Sequence, residues 1–190
     1  MVNFWKDSTA MVDAHCMRVE SGECVLLSPE SHRFKKNYRQ VQPRTAKEVR
    51  KIIGLSDEMA NALNERGACC QHSVDSSAIV PVEELDSSDD AVRARALDIT
   101  GKALHSYVFT VNPAAMIQME PAIGRYLEII NLVINIVTLP NVEVADGGAL
   151  TIPSETHVVE ANKIVLHGTG RIDCKGFTKF NVVSIEGINQ

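Results

Sequence analysis

The chain has 190 residues, enough for one domain or two small ones. Hydrophobic residues make up 45% and aromatic residues only 5%, which provides a core but favours helical packing and stacked aliphatic strands over aromatic-rich sandwiches. The formal net charge of −5 argues against general binding of nucleic acid.

The sequence shows no sign of export or of membrane insertion. Residues 1–8 lack a basic segment followed by an apolar one, so we expect no signal peptide. The longest apolar run, 126–139, contains Glu128 and two asparagines and is too short for a bilayer of about 30 Å. An odd number of cysteines, five, is typical of reduced thiols. We therefore predict a cytoplasmic protein without membrane association.

Residues 1–125 are predicted to be a mainly helical region that carries a basic arm. The arm, residues 32–51, contains eight Lys or Arg and one acidic residue. Within it, Thr45 and Glu48 form a capping box that predicts the start of a helix. Gly54 is expected to end that helix in a left-handed conformation. A second short helix is predicted from Ser56 until Gly67.

Further elements are predicted on both sides of this helix pair. Residues 24–27 and 78–82 are each short apolar runs that suggest a strand. Ser87 or Ser88 is expected to cap a long helix, in which Val92, Ala96, Ile99 and Ala103 recur at helical spacing. A helix start is also expected at Asn112-Pro113, and a further helical stretch is expected to include residues 123–127.

After residue 126 the apolar pattern changes to alternation, which indicates strands up to the end of the sequence. Residues 142–152 align with residues 164–174 at a distance of 22 residues, each reading as strand, glycine turn and strand. A repeat of about this length is typical of stacked β-coils. The glycines available for turns are Gly147, Gly148, Gly168, Gly170, Gly176 and Gly187.

This region resembles the right-handed parallel β-helix superfamily, which includes pectate lyase-like proteins and many surface adhesins. The resemblance is carried by residues 147–152, 163–172 and 180–187. It implies a β-solenoid, and in enzymes of the superfamily a cluster of carboxylates or arginines on an exposed sheet. No such cluster is found in this sequence, so the enzymatic activity is not carried over.

The sequence thus predicts an α+β protein: a helical N-terminal region, 1–125, followed by a short parallel β-solenoid, 126–190. An antiparallel β-sandwich is the alternative for the same strands. A stack of strands that ends near Gln190 leaves an apolar edge to be covered. We therefore predict a non-enzymatic structural or assembly module that self-associates, or binds another protein, through Val182, Val183 and Ile185.

The alternative function is a module that binds nucleic acid or another polyanion. Residues 51–66 resemble a helix-hairpin-helix, in which backbone N–H groups of a tight hairpin bind a DNA phosphate, although Ser56 replaces the second glycine of that motif. Basic residues interleave with Phe34 and Tyr38, as in segments that bind single strands. The opposite interpretation is a solvated hairpin whose basic arm pairs with the acidic residues 83–90. The predicted polyanion-binding residues are Arg33, Lys35, Lys36, Arg39, Arg44, Gly54 and Arg66.

A catalytic site or a metal site has weaker support in the sequence. Cys69, Cys70 and His72 are weak zinc candidates, because adjacent cysteines rarely bind one ion together. His15 and Cys16 are neighbours and therefore point in different directions, unlike a nucleophile and its base. No phosphate-binding glycine loop, nucleophile elbow or His-Glu-x-x-His motif occurs. We predict no catalytic residue, no bound metal and no cofactor. A carbohydrate-binding or carbohydrate-active protein remains a third alternative, although the one tryptophan, Trp5, is far from the repeats.

Overall fold

The computed structural model describes residues 16–54, 79–109 and 118–188, and these residues form nine strands and four helices. The strands are β1 (Cys16–Val19), β2 (Cys24–Leu26), β3 (Tyr38–Val41), β4 (Ile134–Leu139), β5 (Asn141–Val144), β6 (Ala149–Ile152), β7 (Val158–His167), β8 (Arg171–Cys174) and β9 (Lys179–Ile188). The helices are α1 (Ala46–Ile53), α2 (Val82–Leu85), α3 (Asp90–Phe109) and α4 (Glu120–Ile130), and a short 3₁₀ helix covers Lys35–Asn37.

The chain forms two compact units. The first contains residues 1–41 and 134–190, and the second contains residues 42–133. All the described strands belong to the first unit, and α1 to α4 belong to the second. The predicted domain boundary, between residues 125 and 126, falls inside α4.

The first unit contains two sheets. The larger has the order β1-β5-β7-β4-β3, with β9 on the other side of β7, and the smaller has the order β2-β6-β8. The ten-residue β7 pairs with β4 through its first half and with β5 through its second half, while β9 follows it along its whole length. Val142 lies opposite Ile164, which is the 22-residue offset of the sequence repeat.

The predicted fold class, a helical N-terminal region followed by a parallel β-solenoid, is wrong. Residues 16–41 supply three strands, and β3 runs antiparallel beside β4, so the large sheet is mixed and curls as a half-barrel. The helices are inserted between β3 and β4 instead of preceding the strands. The antiparallel sandwich is wrong too, because most strand pairs are parallel. The short strand predicted at residues 24–27 is confirmed as β2, but β1 and β3 were not predicted, since strands of four residues show little alternation.

The core of the first unit lies between the two sheets' inner faces. Alternate residues of β1, β2, β5 and β6 point inward, as the pleat requires, and branched aliphatic side chains from several strands fill the space. Phe34, from the loop before the 3₁₀ helix, is buried in the same cluster. The buried residues are Met17, Val19, Val25, Leu27, Phe34, Val137, Leu139, Val142, Val144, Leu150, Ile152, Val159, Ala161 and Ile164.

In the second unit, the N-terminal cap of α1 is confirmed. The Thr45 hydroxyl accepts a hydrogen bond from the Glu48 N–H at 3.2 Å. Gly54 ends α1 as predicted but in an extended conformation (φ −80°, ψ 177°), so the left-handed prediction is wrong. A glycine is needed there for space, because a Cβ would lie 2.7 Å from the Val108 carbonyl oxygen of α3.

The remaining helices differ from expectation in detail. The long helix is confirmed as α3, but it is Asp89, not a serine, whose carboxylate accepts hydrogen bonds from the Ala91 and Val92 N–H groups. The strand predicted at residues 78–82 is not found in its described part: residues 79–81 are irregular, and α2 begins at Val82. Pro121 lies in the first turn of α4, where a missing N–H costs nothing. The predicted second helix of the hairpin and the Asn112-Pro113 start lie outside the described residues.

None of the described helices combines the length and the apolar character needed to cross a bilayer.

Candidate assembly surface

The outer edge of β9 is the most distinctive surface of the first unit. β9 is ten residues long and pairs with β7 on one side. Within the described ranges, no strand pairs with its other side. Its outward N–H and C=O groups can therefore template another strand.

The same strand concentrates exposed apolar side chains. Val183 is 84% exposed, Ile185 57% and Ile188 41%, and Phe177 in the preceding turn is 67% exposed. Among the described residues, four of the seven large exposed hydrophobic side chains thus lie between positions 177 and 188. Such clustering, unlike single exposed side chains, marks an interaction surface.

Charge does not protect this edge. Natural edge strands are usually blunted by charged residues or proline, and β9 carries its charges only near its ends. Burial lowers the pKa of Lys179, at the first position of the strand. The Glu186 carboxylate forms an ion pair with Lys163 of β7, with 2.7 Å between Oε2 and Nζ. The segment from Phe180 to Ile185 is uncharged. Of the predicted self-association residues, Val183 and Ile185 are thus exposed on an uncharged edge, whereas the Val182 side chain packs against the core.

Only part of the predicted polyanion-binding set is brought together. In the first unit, Lys35 and Lys36 are exposed on the 3₁₀ helix. The Arg33 guanidinium lies 5.1 Å from the ring centroid of Phe34, and burial lowers its pKa. Arg39 pairs with Glu160 of β7 at 2.9 Å, so its charge is already partly neutralised.

The rest of that set lies elsewhere. Arg44 and Gly54 belong to the second unit. Arg66 falls outside the described residues, as does the second half of the hairpin. Polyanion binding therefore stays a prediction.

The weak zinc candidates Cys69, Cys70 and His72 also lie outside the described residues. In the part of the chain that is described, no group of three or more His, Cys, Asp or Glu residues could hold a metal ion.

Burial raises the pKa of the Cys174 thiol, and a hydrogen bond with Thr178 opposes that rise.

Sequence reasoning missed a cluster of charged residues across β1, β5 and β7. Glu143 accepts from Arg18 at 3.1 Å through one carboxylate oxygen and contacts His167 Nε2 at 2.9 Å through the other. The contact depends on the pairing of β1 with β5, which joins residues more than a hundred positions apart, so no local pattern reveals it. The cluster ties three neighbouring strands together and, by itself, defines no reaction.

Comparison with known proteins adds no relative, since the chain matches no family model, no curated protein and no solved structure. The resemblances to the parallel β-helix superfamily and to the helix-hairpin-helix therefore have nothing to be tested against.

Proposed function

We propose that this protein is a non-enzymatic assembly module that self-associates through the outer edge of β9. One observation carries the proposal: a ten-residue edge strand whose uncharged centre holds a valine that is 84% exposed. An edge of this kind is a hazard for a monomer, and another strand laid against it would satisfy its backbone and cover its side chains.

The free-energy terms that favour association and those that oppose it are of similar size. Burying a Val or Ile side chain completely contributes about 1.5–3 kcal/mol, and each copy offers Val183 and Ile185 at the centre of the edge. Backbone hydrogen bonds contribute roughly 1 kcal/mol each. Association costs about 4–15 kcal/mol in translational and rotational freedom. We therefore expect an association that depends on protein concentration.

The proposal is tested by the mass in solution, measured by light scattering over a concentration series under reducing conditions. The wild-type chain is expected to show a mass above that of one chain, increasing with concentration. The double variant Val183→Lys/Ile185→Lys should stay at the mass of one chain, because lysines on the edge repel and resist burial. Circular dichroism verifies that the variant is folded.

A matched control carries the same change on another exposed apolar pair. Ile129 and Ile130 on α4 are 38% and 42% exposed, so Ile129→Lys/Ile130→Lys adds the same charge in the other unit. This control should associate like the wild type. A wild-type chain that stays single at all concentrations, or a control that dissociates equally, refutes the proposal.

We further propose that the module works in the cytoplasm. Five cysteines cannot all pair within one chain. The three that are described, Cys16, Cys24 and Cys174, are free thiols. Reduced thiols of this kind are typical of a reducing compartment, and the reducing buffer of the mass measurement matches it.

A further inference from the structure

The hydrogen bonds between β7 and β9 change phase once along the strand. In a parallel ladder, residues alternately turn both their N–H and C=O toward the neighbouring strand and away from it. The Lys179 N–H donates to the His157 carbonyl at 2.9 Å, and the Ile188 carbonyl accepts from the Gly168 N–H at 2.9 Å. Both residues therefore face β7, although an odd number of positions separates them. Strict alternation would allow only an even number.

The register locates this phase change. Ala161 is paired with Val182, and Lys163 with Ser184, but Asn162 and Val183 form no pair. The interruption is therefore at Val183. It coincides with the place where β7 leaves its pairing with β4 and begins its pairing with β5.

The interruption determines which residues face the outer edge. Counting from Lys179, Phe180 and Val182 turn their backbone groups outward. Counting back from Ile188, Gly187 and Ile185 do so. The side chains agree, because Phe180 and Val182 pack against the buried core and Ile185 lies beside the buried Ile164.

A strand with regular alternation cannot form hydrogen bonds to all the outward backbone groups of β9. If a regular partner strand turns its N–H and C=O groups toward Phe180 and Val182, its unbroken alternation turns them away from Ile185 and Gly187. A complete partner needs the same interruption at the matching place. β9 of a second copy, running antiparallel, has it.

Only one antiparallel register matches all four outward residues. It places Val182 opposite Ile185 of the second copy and Phe180 opposite Gly187 of the second copy, with the reciprocal pairs following by symmetry. Any shift along the strand leaves at least one outward residue opposite a residue turned the other way or beyond the end of the partner's β9.

We infer that two copies of this chain pair through β9, antiparallel, about a two-fold axis between Val183 and Ser184. The inference rests on the proposed function and names the partner and the register. Such a contact uses the same surface on both copies and therefore closes at two. The opposite edge of the sheet offers no ten-residue partner, since β1 and β3 have four residues each and run in opposite directions.

Disulfide cross-linking tests the register. In the inferred pairing, Asn181 lies opposite Glu186 of the second copy, and both side chains are exposed. Asn181→Cys and Glu186→Cys are made separately in a chain whose five native cysteines are replaced by serine. Mixed in equal amounts and mildly oxidised, they should cross-link in up to about half of the dimers, the share that contains one copy of each.

Each variant alone should give almost no cross-link. Asn181 and its own counterpart would be five positions apart along the strand, about 17 Å, whereas a disulfide needs Cα atoms within about 7 Å. Asn181→Cys mixed with Ile188→Cys is the out-of-register control. Residue 188 lies two positions beyond Glu186 and nine positions from its own counterpart, so this mixture should cross-link far less. The cysteine-free parent must first show the wild-type mass.

The outcomes separate the inference from the function on which it depends. A parent that associates, with no cross-link in the Asn181/Glu186 mixture or a strong one in the control, overturns the register but leaves self-association standing. Masses that grow beyond two copies overturn the two-fold axis. A chain that stays single overturns both.

Discussion

Gly168 has a left-handed backbone and no space for a side chain, so both its conformation and its surroundings favour glycine. Its φ is +53°, and a Cβ there would collide with the carboxylate of Asp146. That carboxylate accepts hydrogen bonds from the N–H and the hydroxyl of Thr169, each at 2.7 Å, and so ties two successive turns together. Replacing the glycine therefore strains its own backbone and displaces a neighbour.

We predict that Gly168→Ala lowers the free energy of unfolding by about 1–2 kcal/mol through the left-handed backbone, and by a further amount because the Asp146 contacts are weakened. Gly22→Ala is the matched control. Its φ is +73°, but nothing lies within 4 Å of the added Cβ, so only the backbone part should be lost. Urea unfolding of both variants measures the difference. Equal losses would show that Asp146 moves aside without cost.

Asp146 itself makes stability depend on pH. The Thr169 N–H holds the pKa of this carboxyl below its usual value, with further contributions from the Thr169 hydroxyl and the Gly147 N–H. A carboxyl with a lowered pKa in the folded state stabilises the fold above the unfolded pKa of about 3.9. That stabilisation is lost as the pH falls through the folded pKa.

We predict that Asp146→Asn lowers the melting temperature at neutral pH and that the difference from the wild type narrows as the pH falls below about 4. The reason is that the wild type loses its charged hydrogen-bond acceptor there, whereas the variant has none to lose. Thermal unfolding followed between neutral pH and strong acid measures both curves. A difference that stays constant with pH would mean that the charge of Asp146 does not contribute.

At the level of helices and strands, the features that local sequence determines were predictable. The capping box at Thr45 predicted the start of α1, and the apolar spacing from Val92 to Ala103 predicted α3. The repeat predicted which residues of β5 and β7 share a position, because stacked strands with equal turn lengths keep a constant offset.

What the sequence could not show depends on distant pairing. β1 pairs with β5 across the whole inserted unit, and a four-residue strand has no periodicity of its own. Arg39 was interpreted as a binding residue, but its strand, β3, lies beside β4, and from there it pairs with Glu160. Of the candidate surface, the apolar residues of β9 were predicted, whereas the phase change at Val183 is visible only in the hydrogen-bond register.

For the whole molecule, the place where the second unit is inserted matters most. Residues 42–133 leave the first unit after Val41 and return at Ile134. These two residues are directly opposite each other in the antiparallel β3–β4 pair. The chain thus enters and leaves at adjacent points, the arrangement in which an inserted unit is best tolerated.

Among the described residues, none from the insertion belongs to the core of the first unit. We therefore predict that replacing residues 42–133 by Asn-Gly yields a chain that folds. Asn-Gly forms the two-residue turn whose twist matches an antiparallel strand pair, so β3 and β4 would become an ordinary hairpin. β9 and its outer edge would be unchanged.

The shortened chain should therefore self-associate with the same concentration dependence as the full chain, measured by light scattering, and show the circular dichroism of a β-rich protein. Val183→Lys/Ile185→Lys in the shortened chain should abolish the association. If the shortened chain folds but stays single while the full chain associates, the second unit takes part in assembly, and the edge of β9 is not sufficient.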